Sequence, residues 1–246
     1  MENINNLLDK YRSYLIGQKG RSENTVKVYI ADITPFLQFM QTTKTDPGDL
    51  DRQSLREYLA WLSTSARGKH GGYARVSVAR KLVVLRSFYK FLEQEGSVKT
   101  TPVPKGRSLQ VKVEKRLPIF LDQNEIIKLL DTPNPSTEIG MRNQAILELL
   151  YSTGIRLSEL TNLDTRDMDM ERREIKVTGK GSKERIVFMG HPASRAIERY
   201  LYNARPFLER APNEAMFLNR YGKRLSRRSV EKVVSHAATK AAIRPG

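Results

Sequence analysis

The chain has 246 residues, 39% of them hydrophobic, no cysteine and a formal net charge of +16. That is enough apolar material for one large or two modest domains, and it excludes disulfides, cysteine–zinc sites and thiol chemistry. The start, MENINNLLDKYRSYL, contains acidic residues and no apolar core bounded by small ones, and no run reaches membrane-spanning length, so a soluble cytoplasmic protein with no membrane partner is expected.

The first hundred residues carry helical periods. NLLDKYRSYLI spaces Leu7, Leu8, Tyr11, Tyr14 and Leu15 along one face, and SENTVKVYIADITPFLQFM offers Ser22 as a cap before Val26, Tyr29, Ile30, Ile33 and Leu37, with a kink expected at Pro35. QSLREYLAWLSTSA is a third helix, and RVSVARKLVVLRSFYKFLEQEG a fourth that stops at Gly96. Four amphipathic helices make a small bundle, residues 1–98. Residues 99–116, rich in proline, glycine, lysine and arginine, read as a basic linker to a second domain over 117–246.

In that second domain Asp122 and Glu125 have capping-box spacing, and MRNQAILELLYSTG is a largely buried helix stopped by Gly154. RLSELTNL starts another helix. EIKVT and RIVFM, joined by GKGSKE, then read as a β-hairpin, before helices return in ASRAIERYLYNARPFL and SRRSVEKVVSHAATKAA. The expected fold is mainly α with one small β-sheet.

Positive charge is concentrated. Residues 67–116 hold 13 basic against 3 acidic side chains and residues 219–246 hold 8 against 1, whereas residues 1–66 and 117–218 come to net 0 and −1. Such clustering is the mark of a polyanion binder, which makes nucleic acid the leading partner. Within the chain, Arg156 stands beside Ile155 in an apolar stretch, three residues before Glu159, a spacing that places the pair on one helix face. Either this is a structural ion pair, or Glu159 holds one side of a guanidinium whose other edge awaits a phosphate. Lys180 and Lys183 sit in a glycine-bearing hairpin loop, which is either an exposed tip or a close approach to another molecule. The loop matches no nucleotide-binding loop, so a P-loop enzyme is not expected.

Taken together, LLYSTGIRLSELTNLDTRDMDMERREIKVTGKGSKERIVFMG resembles tyrosine recombinases of the phage-integrase, Xer-like type, and the four-helix part resembles their SAM-like core-binding domain. The resemblance implies DNA strand exchange through a 3′-phosphotyrosyl intermediate, with no ATP, metal or other cofactor. Arg156 matches the first catalytic arginine, Glu159 the acidic residue that orients it, and Lys180 the hairpin lysine that protonates the departing 5′-oxygen. The family's pattern continues with a His-x-x-Arg box and the nucleophilic tyrosine, but His236 is followed by Ala-Ala-Thr, and Tyr200, Tyr202 and Tyr221 read as packing or surface residues. The catalytic domain is therefore expected to be truncated, and the chain to bind double-stranded DNA without cleaving it. The alternative is a non-catalytic DNA-binding protein derived from a shortened integrase. Family members act as tetramers on synapsed sites, and a monomer near the nucleoid is expected here. DNA contacts are expected from Arg75, Ser77, Arg80, Lys81 and Arg86 on the fourth helix, from Lys105 and Arg107 in the linker, from Lys183, and from Arg224, Arg227 and Arg228 near the start of the last helix.

Overall fold

The apolar spacings of the first hundred residues become α1 (Ile4–Gly17), α2 (Glu23–Thr42), α3 (Arg52–Thr64) and α4 (Arg75–Gln94). They belong to a computed structural model that describes residues 4–64, 71–104, 111–112, 120–179 and 181–243. The chain divides into two units, residues 1–117 and 118–246. The first is held by aromatic rings: Tyr11 meets Phe88 edge-on at 5.1 Å, and Phe36 meets Tyr58 at 5.2 Å. Helix α2 runs without interruption through Pro35, and α4 stops where expected, Gly96 taking φ +75° so that Ser97 N–H can reach the Leu92 carbonyl. Beyond that stop the chain turns back onto the bundle. Val98 and Val103 are buried in its core, Val111 packs on it, and Arg86 Nε donates to the Pro104 carbonyl at 3.2 Å.

The side of α4 that faces α2 carries a buried charge cluster. Asp32 of α2 accepts from Lys81 Nζ at 2.9 Å, and Arg80 Nε lies 2.7 Å from its other oxygen. Lys81 is only 4% exposed, against 58% for the Arg80 side chain, and its ammonium also stands 4.4 Å from the centre of the Tyr73 ring. The position at 81 faces inward because it shares the helix face of Val78, Leu82 and Leu85. Lys81 therefore departs from the DNA-facing role expected of it and completes an internal ion pair.

The second unit begins with α5 (Gln123–Leu130), where the Asp122–Glu125 capping box forms with both reciprocal bonds, and α6 (Glu138–Thr153), ended by Gly154 at φ +60°. After α7 (Leu157–Asn162) come strands β1 (Met168–Asp169), β2 (Glu174–Thr178) and β3 (Glu184–Phe188), an antiparallel sheet of order β1-β2-β3. Helices α8 (His191–Asn203), α9 (Arg205–Leu208) and α10 (Arg227–Lys240) complete it. Helices α6 and α8 pack around Ile146, Leu149, Ile197 and Tyr200 with Ile175 and Val177 of β2. Tyr200 is buried, stacked on Phe217 at 5.5 Å, and its hydroxyl accepts from Leu218 N–H, which fixes it as a core residue. Tyr202 and Tyr221 are exposed. The fold is mainly α with one small sheet, as the sequence leads one to expect, and two features were not foreseen: the short strand β1 and the break between α8 and α9.

Removing Asp32 leaves Lys81 buried and unpaired. Asp32→Ala is expected to destabilise the first unit by about 3–5 kcal/mol in urea melts, and adding Lys81→Met to restore most of the loss. Equal melting of the single and double variants would contradict the pairing.

Candidate functional site

Helix α7 has six residues, too few to be stable alone, so tertiary contacts must fix it. At its start, Gly154 turns the chain, Ile155 is buried in the core, and Arg156 takes the extended backbone of a cap position (φ −69°, ψ 150°). Glu159, one helical turn on, folds back, and its Oε2 accepts from Arg156 N–H at 2.8 Å while its Oε1 accepts from Arg156 Nη1 at 2.9 Å.

A second guanidinium closes on the same carboxylate. Arg185 of β3 donates from Nη1 to Oε1 at 2.7 Å and from Nη2 to Oε2 at 2.9 Å. The strand register puts Arg185 there: it pairs with buried Val177, and Val187 with buried Ile175, so Arg185 lies on the inward row of the hairpin. The Glu159 side chain is 1% exposed, while Arg156 is 68% and Arg185 41% exposed. The carboxylate thus has four donors, two on each oxygen, and its buried charge is fully compensated. The hydrogen bonds from Arg185, aided by the backbone and side chain of Arg156 and opposed by burial, hold its pKa down at about 2. Gly179 lies against this group, since a Cβ at 179 would stand 3.2 Å from Oε1, tight enough to force a shift.

At the other end of α7, Arg224 donates from Nη1 to the carbonyls of Thr161 (3.2 Å) and Leu163 (3.0 Å), and its Nη2 pairs with Asp164. Arg224, expected on DNA, thus braces the end of α7 while its side chain stays 40% exposed. Arg227 and Arg228 are exposed at the first turn of α10, and Lys183 is exposed in the hairpin loop. On α4, Arg75 is exposed, Ser77 is half-buried, Arg80 is bound to Asp32 with much of its side chain exposed, and Arg86 is half-buried on the Pro104 carbonyl. Lys105, Arg107 and Lys180 lie outside the described residues. Arg185 was not singled out in the sequence, although one signal pointed to it: in a hairpin whose inward positions are Ile175, Val177 and Val187, it is the position that breaks the apolar row. Among the described residues no group of three histidine, aspartate or glutamate side chains is placed to hold a metal ion.

Residues 119–245 match the phage integrase family, and residues 8–96 match the phage integrase N-terminal SAM-like domain. The chain is 35% identical over 247 residues to tyrosine recombinase XerD of Listeria innocua serovar 6a, spanning 98% of this chain and 80% of that one. It is 37% identical over 249 residues to tyrosine recombinase XerC of Myxococcus xanthus, spanning 99% and 80%. Of solved structures, XerH site-specific recombinase bound to difH substrate in a pre-cleavage complex superposes with a TM-score of 0.70 at 18% identity, over 100% of this chain and 71% of that one. A lambda integrase (75–356) dimer bound to a COC′ core site gives 0.71 at 16% identity, over 98% and 80%. At these identities the two structures show likeness of fold.

Because the pKa of Glu159 is depressed on folding, from 4.5 to about 2, its contribution to stability is present above pH 4.5 and is lost as pH falls towards 2. Glu159→Gln is expected to cost about 1–3 kcal/mol at neutral pH and to flatten that acid-range decline. Thermal melts across pH check this, and parallel profiles for the two proteins would contradict it.

Proposed function

The chain belongs to the phage integrase family of tyrosine recombinases, and from that premise we propose that it binds the duplex of a specific recombination site and places one phosphate against Arg156. The family is one of DNA strand-breaking and rejoining enzymes. The observation that carries the proposal is the contrast at the α7 start: a guanidinium 68% exposed, fixed from behind by a carboxylate 1% exposed. A cation held in this way meets the non-bridging oxygens of a phosphate without having to be ordered first, and charge that develops on those oxygens is stabilised there. Both neighbours in fold named above were solved on DNA.

In the complete reaction a tyrosine oxygen forms a bond to phosphorus as the bond to the 5′-oxygen breaks. Lys180 gives its proton to that leaving oxygen, and a 5′-hydroxyl later reverses the step. The bond energy stays in the phosphotyrosyl link, so no cofactor is consumed. Residues 1–98 act as the core-binding domain, residues 99–116 join them to the catalytic portion over 117–246, and Arg75, Ser77, Arg80, Arg86, Lys105, Arg107, Lys183, Arg224, Arg227 and Arg228 supply the basic surface. Lys81 is left out of that set, since it is 4% exposed inside its own unit, whereas Arg224, with its side chain 40% exposed, stays in it.

No residue within these 246 matches the family's His-x-x-Arg box or its nucleophile, and the tyrosine most firmly placed beyond the hairpin, Tyr200, has its hydroxyl in the core. By themselves these residues therefore bind DNA without cutting it, as a monomer in free solution, with tetramers forming on paired sites.

Fluorescence anisotropy on duplex DNA is expected to show affinity falling by roughly 10³-fold between about 50 and 200 mM salt, with a shallower slope for Arg227→Ala/Arg228→Ala. A nicked suicide duplex is expected to give no covalent adduct. Affinity indifferent to salt would overturn the DNA-binding reading, and a trapped phosphotyrosine would overturn the non-cleaving one.

A further inference from the structure

Arg185 is the only charged side chain on the inward row of the β2–β3 hairpin among the described residues, and it takes both oxygens of Glu159. Consider the site without it. A lone Arg156–Glu159 pair is electrically neutral, and a guanidinium facing a free carboxylate settles fork to fork, turning its planar edge inward. With both oxygens engaged by Arg185, Arg156 is left a single side-chain contact, Nη1 to Oε1 at 2.9 Å, and its remaining guanidinium nitrogens bond no other described group. Two guanidiniums against one carboxylate also leave the cluster at net +1, which attracts an anion where a balanced pair would not.

We propose that Arg185 is a positioning residue that occupies Glu159 so completely that Arg156 is held end-on, its open edge and a net positive charge presented to a DNA phosphate. The proposal rests on the DNA-binding reading above for the identity of the anion. It adds a residue, a division of labour between two arginines, and a reason for the register of the hairpin. Three further features agree with it. The Arg185 hydrogen bonds are the foremost cause of the low Glu159 pKa, and Glu159 in turn raises that of Arg185. Arg185 is less exposed than Arg156, as a residue acting through another should be. Gly179 leaves room for the carboxylate beside the hairpin loop.

The test compares Arg185→Met, which removes charge and fork, with Arg185→Lys, which keeps the charge alone, both in the 246-residue chain. In DNA-free protein, carbon-detected NMR titration of the Glu159 carboxyl is expected to show its pKa climbing from about 2 towards the ordinary value of 4.5 in the Met variant. On duplex DNA, Arg185→Met is expected to weaken binding about tenfold, Arg185→Lys to weaken it measurably at unchanged net charge, and neither to add to the loss caused by Arg156→Met. Additive losses would mean that Arg185 touches DNA itself, and an Arg185→Lys protein with wild-type affinity would mean that only its charge matters. Either result overturns the proposal, as does an unmoved Glu159 titration. If Arg185→Met fails to fold, Arg185→Lys decides the question by the same two readouts. A wild-type chain with no affinity for DNA would sink the DNA-binding reading instead, and the titration, made without DNA, would still report on Arg185.

Discussion

One buried carboxylate organises the second unit. Taking the charge of Glu159 out of water costs several kcal/mol unless donors replace the water, and the donors come from two separate places in the chain: the backbone and side chain of Arg156, and the fork of Arg185, 26 residues on. Meeting that demand fixes how α6 gives way to α7, and it fixes the register of the hairpin, because a slip of one residue would turn Arg185 to the opposite face of the sheet. The glycine at 179 follows from the same constraint, since a side chain there would press on the carboxylate. One group thus contributes to stability and to site geometry together.

The first unit solves the same problem in the same way. Asp32 is buried in the bundle, Lys81 beside it is buried too, and Arg80 is tethered to it with much of its length exposed. In each unit a buried acid is shared between two cations, the more exposed of which is an arginine. An arginine anchored in this manner gives up less side-chain entropy when it meets a phosphate than a freely rotating one. The arrangement explains why basic residues adjacent in sequence differ in exposure: Arg80 and Lys81 differ by one step on a helix, which is the difference between an outward and an inward face.

Local rules accounted for what was legible in the sequence. Helix stops at Gly96 and Gly154, the Asp122–Glu125 box, the Arg156–Glu159 pair and the β-hairpin all follow from residues within a few positions of one another, where period, capping and turn chemistry act. What was not legible is carried by contacts distant in sequence. Arg185 reaches Glu159, Arg224 reaches back some sixty residues to cap α7, and Lys81 reaches Asp32 across the bundle. Strand β1, two residues long, has too little sequence to show an alternation, and the break between α8 and α9 goes with Arg205 turning to bond the carbonyls of Asn213 and Ala215. Net charge pointed to a class of partner, but it could not say which arginines and lysines the fold would keep for itself.

The most direct measurement of the central claim is a crystal structure of the 246-residue chain on duplex DNA. The account requires a non-bridging phosphate oxygen within hydrogen-bond distance of Arg156, with Glu159 still bonded to both Arg156 and Arg185. A complex in which Arg156 turns away from the DNA, or releases Glu159 to reach it, would contradict the claim that the site is built before the DNA arrives.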